Sequence, residues 1–174
     1  LELIGRRDRG LARPGDWKGK RIGVTRGTFG EFFLAVFLAH QGLRVADIET
    51  VHLPPSAMEG AVAAGEVDGV IVWQPFVHAI RQRMGDRVVS WPAQGGQDAY
   101  ALLVARDAYL RRRPAAVERL LHALVEAEDY ARRHAAEAQA IVQRRFGYER
   151  AFLARLWAQN RLEVRLTQDL LTLM

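Results

Sequence analysis

Residues 20–76 read KRIGVTRGTFGEFFLAVFLAHQGLRVADIETVHLPPSAMEGAVAAGEVDGVIVWQPF, and the alternation of short β-branched runs with longer apolar-periodic ones decides the fold. RIGVT (21–25) carries a strand signal. The apolar residues of EFFLAVFLAHQGL then continue for three turns until Gly42, as those of a helix do. The pattern repeats: IETVHL (48–53) predicts a second strand, Pro54-Pro55-Ser56 opens a helix through AMEGAVAAG with Ser56 as its N-cap, and Gly65 stops it. DGVIVW closes the unit, where Val70, Ile71 and Val72 form the continuous apolar run of a parallel strand covered on both faces. Strand and helix signals alternate at the lengths right-handed crossovers require, so residues 20–76 form a β-α-β-α-β unit and the fold class is α/β.

Outward from this unit, LELIGR (1–6) predicts a short strand, and the DRGLARPGDWKGK that follows has the Gly, Pro and charge of a surface connection. Beyond Phe76 a polar helix reaches Gly85, RVVSW makes a brief strand, and PAQGGQD breaks regular structure. AYALLVAR (99–106) predicts another strand. Pro114 sits at the first position of a long helix whose Val117, Leu120, Leu121, Leu124 and Val125 share one stripe. AAEAQAIVQRRF is helical up to Gly147, and ERAFLARLWAQN places Phe152, Leu153, Leu156 and Trp157 at helical spacing. Two connections, near 10–19 and 92–98, bracket the central unit, so LELIGR and AYALLVAR are expected in a different sheet. The expected organisation is a two-lobed clamshell: residues 1–12 and 93–174 in one lobe with the C-terminal helices, residues 13–92 in the other, hinged where the chain crosses.

The composition removes several function classes. The 174 residues include no cysteine, which excludes a disulfide framework, a thiolate nucleophile and a Cys-based metal site. No apolar run reaches the length of a membrane-spanning helix. A formal charge of +5 raises nucleic acid as a partner, but Arg6, Arg7 and Arg9 surround Asp8, and the pairs Arg132/Arg133 and Arg144/Arg145 alternate with Glu and apolar residues. Such charges read as solvated helix and loop faces, not as a phosphate-tracking surface. Ser56 and Ser90 lack a nucleophile-elbow context, and the five histidines (40, 52, 78, 122, 134) show no metal-ligand spacing. Neither a metal, a cofactor nor an enzymatic activity is expected. The sequence opens on Leu1 without signal-peptide features, so a processed upstream segment is expected.

Binding chemistry concentrates at two strand ends. Thr25-Arg26-Gly27-Thr28-Phe29-Gly30 joins a strand to a helix, where free N–H groups, a partial positive charge and two hydroxyls suit an anionic or carbonyl group. The plain alternative is that Thr28 only caps the helix and Gly27 only relieves a turn. The spacing fits no phosphate-loop pattern. Trp73-Gln74-Pro75-Phe76 ends another strand of the same sheet, where ligands of open α/β sheets collect. Trp73 offers a flat apolar face and Gln74 both a donor and an acceptor, unless Trp73 is simply core; Phe76 reads as packing. At the second connection Gln97, Asp98 and Tyr100 could close over a ligand or serve as hinge hydrogen bonds.

The runs DWKGKRIGVTRGTFGEFF, LPPSAMEGAVAAGEVDGVIVWQPF and WPAQGGQDAYALLVA together resemble the sulfonate, nitrate and thiamine-precursor binding proteins of the NMT1/THI5-like group, over about residues 5–160. The segments carrying it are Gly-Lys-x-Ile-Gly-Val, a Gly-Thr helix start, Ala-Gly-Glu-Val-Asp and Trp-x-Pro. The resemblance implies a type 2 periplasmic-binding fold with the N-terminal part of its first lobe missing. It implies an extracytoplasmic, periplasmic component that hands a small organic anion or heterocycle, held between lobes, to the permease subunits of an ABC importer. Contact with the membrane would come only through the permease or an anchor outside this chain. By position, Thr25, Gly27, Thr28, Trp73 and Asp98 match places where such proteins touch solute. The alternative from another class is the ligand-sensing input domain of a signalling protein.

Overall fold

The structure, a computed structural model, describes residues 1–97 and 100–165. The chain forms two compact units, Leu1–Ala101 and the remainder from Leu102. In the first, β1 (Glu2–Arg6), β2 (Arg21–Val24), β3 (Glu49–His52), β4 (Gly69–Val72) and β5 (Val88–Pro92) make one sheet in the order β3-β2-β4-β1-β5. Parallel pairing joins β2 to both β3 and β4, and β1 runs antiparallel to β4 and β5. The β-α-β-α-β reading of residues 20–76 corresponds to β2, α1 (Phe29–His40), β3, α2 (Pro55–Ala64) and β4, followed by α3 (Phe76–Met84).

Period-two alternation sends apolar side chains to both faces of the sheet. Leu3, Ile22, Val24 and Ile71 face one layer, with Phe33, Leu34, Phe37 and Leu38 of α1 and with Leu11 and Trp17. Ile4, Val70 and Val72 face the other, with Met58, Ala61 and Val62 of α2 and Val77, Ile80 and Met84 of α3. Each fully buried aliphatic contributes about 1.5–3 kcal/mol, so both helical layers are held by the same strands. Trp17 lies wholly buried in an edge contact with Trp91, their ring centroids 5.6 Å apart. The ring needs Gly69 beneath it: a Cβ there would stand 2.5 Å from the Ile4 carbonyl oxygen and 2.7 Å from the Trp17 ring.

Three expectations are corrected. Glu2–Arg6, grouped above with another sheet, pairs inside this one, Leu3 opposite both Ile71 and Trp91. The reason is burial: Leu3 and Ile4 are both 0% exposed, which a strand achieves only between two neighbours and two layers. AYALLVAR forms no strand over its described residues 100–106, because an extended run becomes a strand only against a ladder partner. Ser56 is not an N-cap; α2 begins at Pro55 behind Pro54, and the fixed proline φ replaces a side-chain cap.

The second unit is helical: α4 (Asp107–Arg112), α5 (Pro114–Arg133), α6 (Ala135–Phe146) and α7 (Arg150–Gln159). Ala138, Phe152 and Leu153 are its buried apolar residues among those described. Pro114 opens α5 and Gly147, at φ 70°, closes α6, as the sequence signals require.

Candidate functional site

Because β2, β3 and β4 are parallel neighbours, their carboxyl ends share one edge of the sheet, and Thr25, Leu53 and Trp73 leave it side by side. The β5 strand runs in the same direction, so Gln94 to Gln97 also leave at this edge, with β1 between them and Trp73.

The turn after β2 is built from its own polar groups. Thr25 Oγ1 donates to the Leu53 carbonyl at 2.8 Å, tying the ends of β2 and β3 together. Thr28 is the N-cap of α1: its hydroxyl oxygen accepts from the Gly30 N–H at 3.2 Å and its O–H donates to the Thr25 carbonyl at 2.7 Å. Gly27 holds φ at 71°, a left-handed conformation that the missing Cβ permits. Its N–H donates to Glu31 Oε2 at 2.9 Å, and the Arg26 N–H donates to His52 Nδ1 at 3.2 Å. Both hydroxyls proposed as ligand donors are therefore committed to main-chain carbonyls, and a carboxylate of this chain sits on the Gly27 N–H.

The apolar half of the edge is an aromatic pair. The Phe29 and Trp73 centroids are 4.9 Å apart with their planes at 40°. Phe29 is 46% exposed and Trp73 half-buried, so the pair presents ring surface to solvent. Gly30 lies beneath: a Cβ on it would come 3.7 Å from the Trp73 ring. Gln74 Oε1 accepts from the His78 N–H at 3.2 Å, across a first helical turn entered through a cis Gln74–Pro75 peptide.

Among the sequence-derived positions, Thr25, Gly27, Thr28, Phe29, Trp73 and Gln74 thus fall at one edge. Gln97 is exposed and pairs locally, its carbonyl accepting from Gln94 Nε2 at 2.9 Å. Tyr100 is 43% exposed, and Asp98 lies outside the described residues. Glu31 and His52 were not foreseen. Thr28-x-x-Glu31 has capping-box spacing, which could have flagged the carboxylate at this helix start; here it reaches one residue beyond the cap. His52 could be found only by knowing that β3 lies beside β2. Among the described residues no group of three or more His, Asp or Glu is arranged to hold a metal ion, and no helix is long and apolar enough to cross a membrane.

The sheet is open, helices cover both of its faces, and its carboxyl edge, where ligands of open α/β sheets collect, carries the aromatic pair beside the start of α1. The NMT1/THI5-like family model matches residues 1–138, and the chain belongs to that family. The taurine-binding periplasmic protein of Escherichia coli is 29% identical over 121 residues, covering 68% of this chain and 37% of its own length. Among solved structures, the alkanesulfonate-binding protein SsuA from Xanthomonas axonopodis pv. citri, bound to MOPS, superposes with a TM-score of 0.84 at 22% identity, over 98% of this chain and 60% of that one. The desulfurization enzyme DSZB shares the fold at a TM-score of 0.62 and 19% identity, over 99% of this chain and 66% of its own. The fold is thus the periplasmic-binding α/β fold, and the chain spans less than half the length of the curated relatives it matches.

Proposed function

We propose that the chain is the solute-contacting α/β part of an extracytoplasmic binding protein serving an ABC importer, and that its solute is a small organic sulfonate. The observation that carries this reading is the placement of the Phe29–Trp73 pair, 4.9 Å between centroids, beside the Thr25–Gly30 turn at one sheet edge. An alkyl or aromatic sulfonate has one apolar and one anionic end. The aromatic pair suits the first, and the partial positive charge at the start of α1 suits the second, with the Gly27 N–H becoming a donor once the exposed Glu31 side chain swings off it. Names of the family relatives support the same solute class, taurine and alkanesulfonate among them.

Binding without turnover is the corresponding proposal for activity. Turnover would need a nucleophile or general base beside the turn, and the groups there are engaged within the chain: both threonine hydroxyls bond to carbonyls, His52 Nδ1 accepts from Arg26 and the Glu31 carboxylate accepts from the Gly27 N–H. Gln97 and Tyr100 are proposed as further contacts on the connection that leaves the same edge. Location outside the cytoplasmic membrane and delivery to permease subunits follow from the same reading.

The test is a titration of the intact gene product with taurine, short alkanesulfonates and MOPS, with nitrate and a pyrimidine as comparators, followed by thermal shift and tryptophan fluorescence together. A ligand of the folded state raises the melting temperature once its concentration exceeds Kd. A sulfonate is expected to do so, and Trp73→Ala is expected to weaken it at least about tenfold, the loss of one buried aromatic contact. Thr28→Ser should bind normally, since it keeps both cap bonds. A response to nitrate or the pyrimidine alone would overturn the solute class, and a sulfonate response untouched by Trp73→Ala would overturn the site.

A further inference from the structure

The turn between β2 and α1 spends most of its donors on itself. Thr25 and Thr28 donate their hydroxyls to main-chain carbonyls, the Gly30 N–H goes to Thr28 Oγ1, the Gly27 N–H to Glu31 and the Arg26 N–H to His52. An anion arriving there needs a positive group that is still available. Of the charged side chains at this edge, Glu31 has the wrong sign, and Arg81 of α3 donates to Glu2 and Ser90. The Arg26 guanidinium is different: it is exposed, and among the described residues it has no hydrogen-bond or ion-pair partner.

The backbone that carries this side chain is pinned to the neighbouring strand. Thr25 is tied to the Leu53 carbonyl at 2.8 Å, and the Arg26 N–H is anchored on His52 of β3 at 3.2 Å. A long, flexible stem therefore starts from a fixed point in the middle of the turn, within reach of the start of α1. Between Thr25 and Glu31 the only formal charges are those of Arg26 and Glu31, which cancel. Without Arg26 the turn would meet an anion with a net negative charge. A guanidinium also presents a planar fork of N–H donors that can hold two oxygens of one sulfonate together.

We infer that Arg26 is the charge partner of the solute's anionic end, its fork closing on two sulfonate oxygens beside the Gly27 N–H. The inference rests on the sulfonate reading of this edge, and it makes Arg26, not the threonine hydroxyls, the residue that selects an anion over a neutral solute.

Calorimetric titration of the intact gene product with an alkanesulfonate compares the wild type with Arg26→Gln and Arg26→Lys. Arg26→Gln is expected to weaken binding at least about tenfold, the loss of a charge-assisted pair. Arg26→Lys keeps the charge without the fork and should fall between the two. The gap between wild type and Arg26→Gln should narrow as salt approaches about 1 M, which a loss of packing alone would not do. Melting of the unliganded proteins should be the same, because the side chain is exposed. Equal binding by wild type and Arg26→Gln, with Trp73→Ala still weakened, overturns the inference and leaves the sulfonate reading standing. Arg26→Lys binding as tightly as wild type overturns the fork. A wild type that binds no sulfonate overturns the reading itself, and the inference with it.

Discussion

Glu31 makes the most discriminating test of the site. Its carboxylate holds the Gly27 N–H at 2.9 Å, the donor an incoming sulfonate would need. Glu31 is exposed and can swing aside, but its length keeps it within about 5 Å of any anion at the turn. At that separation two unit charges repel by roughly 1 kcal/mol in water-like surroundings and by about 3 kcal/mol at an effective dielectric constant near 20. The exposed position favours the lower figure, which corresponds to about fivefold in affinity. Glu31→Gln removes the charge and keeps an oxygen for the Gly27 N–H. Calorimetric titration with an alkanesulfonate should therefore give about fivefold tighter binding at low ionic strength, and the gain should shrink as salt approaches about 1 M, where the screening length falls to about 3 Å. Loss of a carboxylate from the first turn of α1 costs about 0.3–1 kcal/mol of stability, which urea unfolding measures separately. Unchanged or weaker binding by a folded Glu31→Gln protein would show that the anion does not sit at this turn.

Other expectations concern the framework. Gly69→Ala should cost roughly 3 kcal/mol or more, read as a lowered urea midpoint, since the new methyl meets the Ile4 carbonyl at 2.5 Å and the Trp17 ring at 2.7 Å. Gly60→Ala, in α2 with nothing within 4 Å, should instead stabilise by about 0.5–1 kcal/mol. Arg6 donates to the Val62 and Ala63 carbonyls at 2.7 and 3.3 Å, satisfying the end of α2, so Arg6→Met should destabilise by about 1–2 kcal/mol. The Arg13 side chain, then the Arg13 and Ala12 N–H groups, hold the Asp16 carboxyl below its ordinary range. A depressed carboxylate adds stability above its unfolded value near 4 and loses it as pH falls through the folded value. Acid unfolding followed by circular dichroism should thus steepen below about pH 4, with a shallower slope in Asp16→Asn.

Local signals were legible where one segment's chemistry suffices. The β2-α1-β3-α2-β4 alternation, the proline that opens α5 and the glycine that closes α6 depend on residues close together in sequence, and the structure places each as read. Sheet membership was not legible in the same way. LELIGR was expected in a different sheet, and only its pairing with β4 and β5 places it in this one. The run at 99–106 shows the converse, since β-branched and apolar composition states a preference that only a partner can realise. At the site, Thr28 could be read as a cap or as a ligand contact; it caps α1, which leaves its second role to experiment. Glu31 escaped because an acidic residue argues against an anion site until its bond to the Gly27 N–H is seen.

The position of β1 also bears on how the sheet comes together. Leu3 lies opposite Ile71 and Trp91, so the antiparallel strand β1, between β4 and β5, finds both neighbours only across long stretches of intervening chain. Such pairings slow folding, because loop closure must precede the contacts that reward it. At ribosomal rates β5 emerges on the order of ten seconds after β1. Until β4 and then β5 have both emerged, Leu3 and Ile4 belong to an apolar strand with at least one open edge, the element that a chaperone would be expected to hold first.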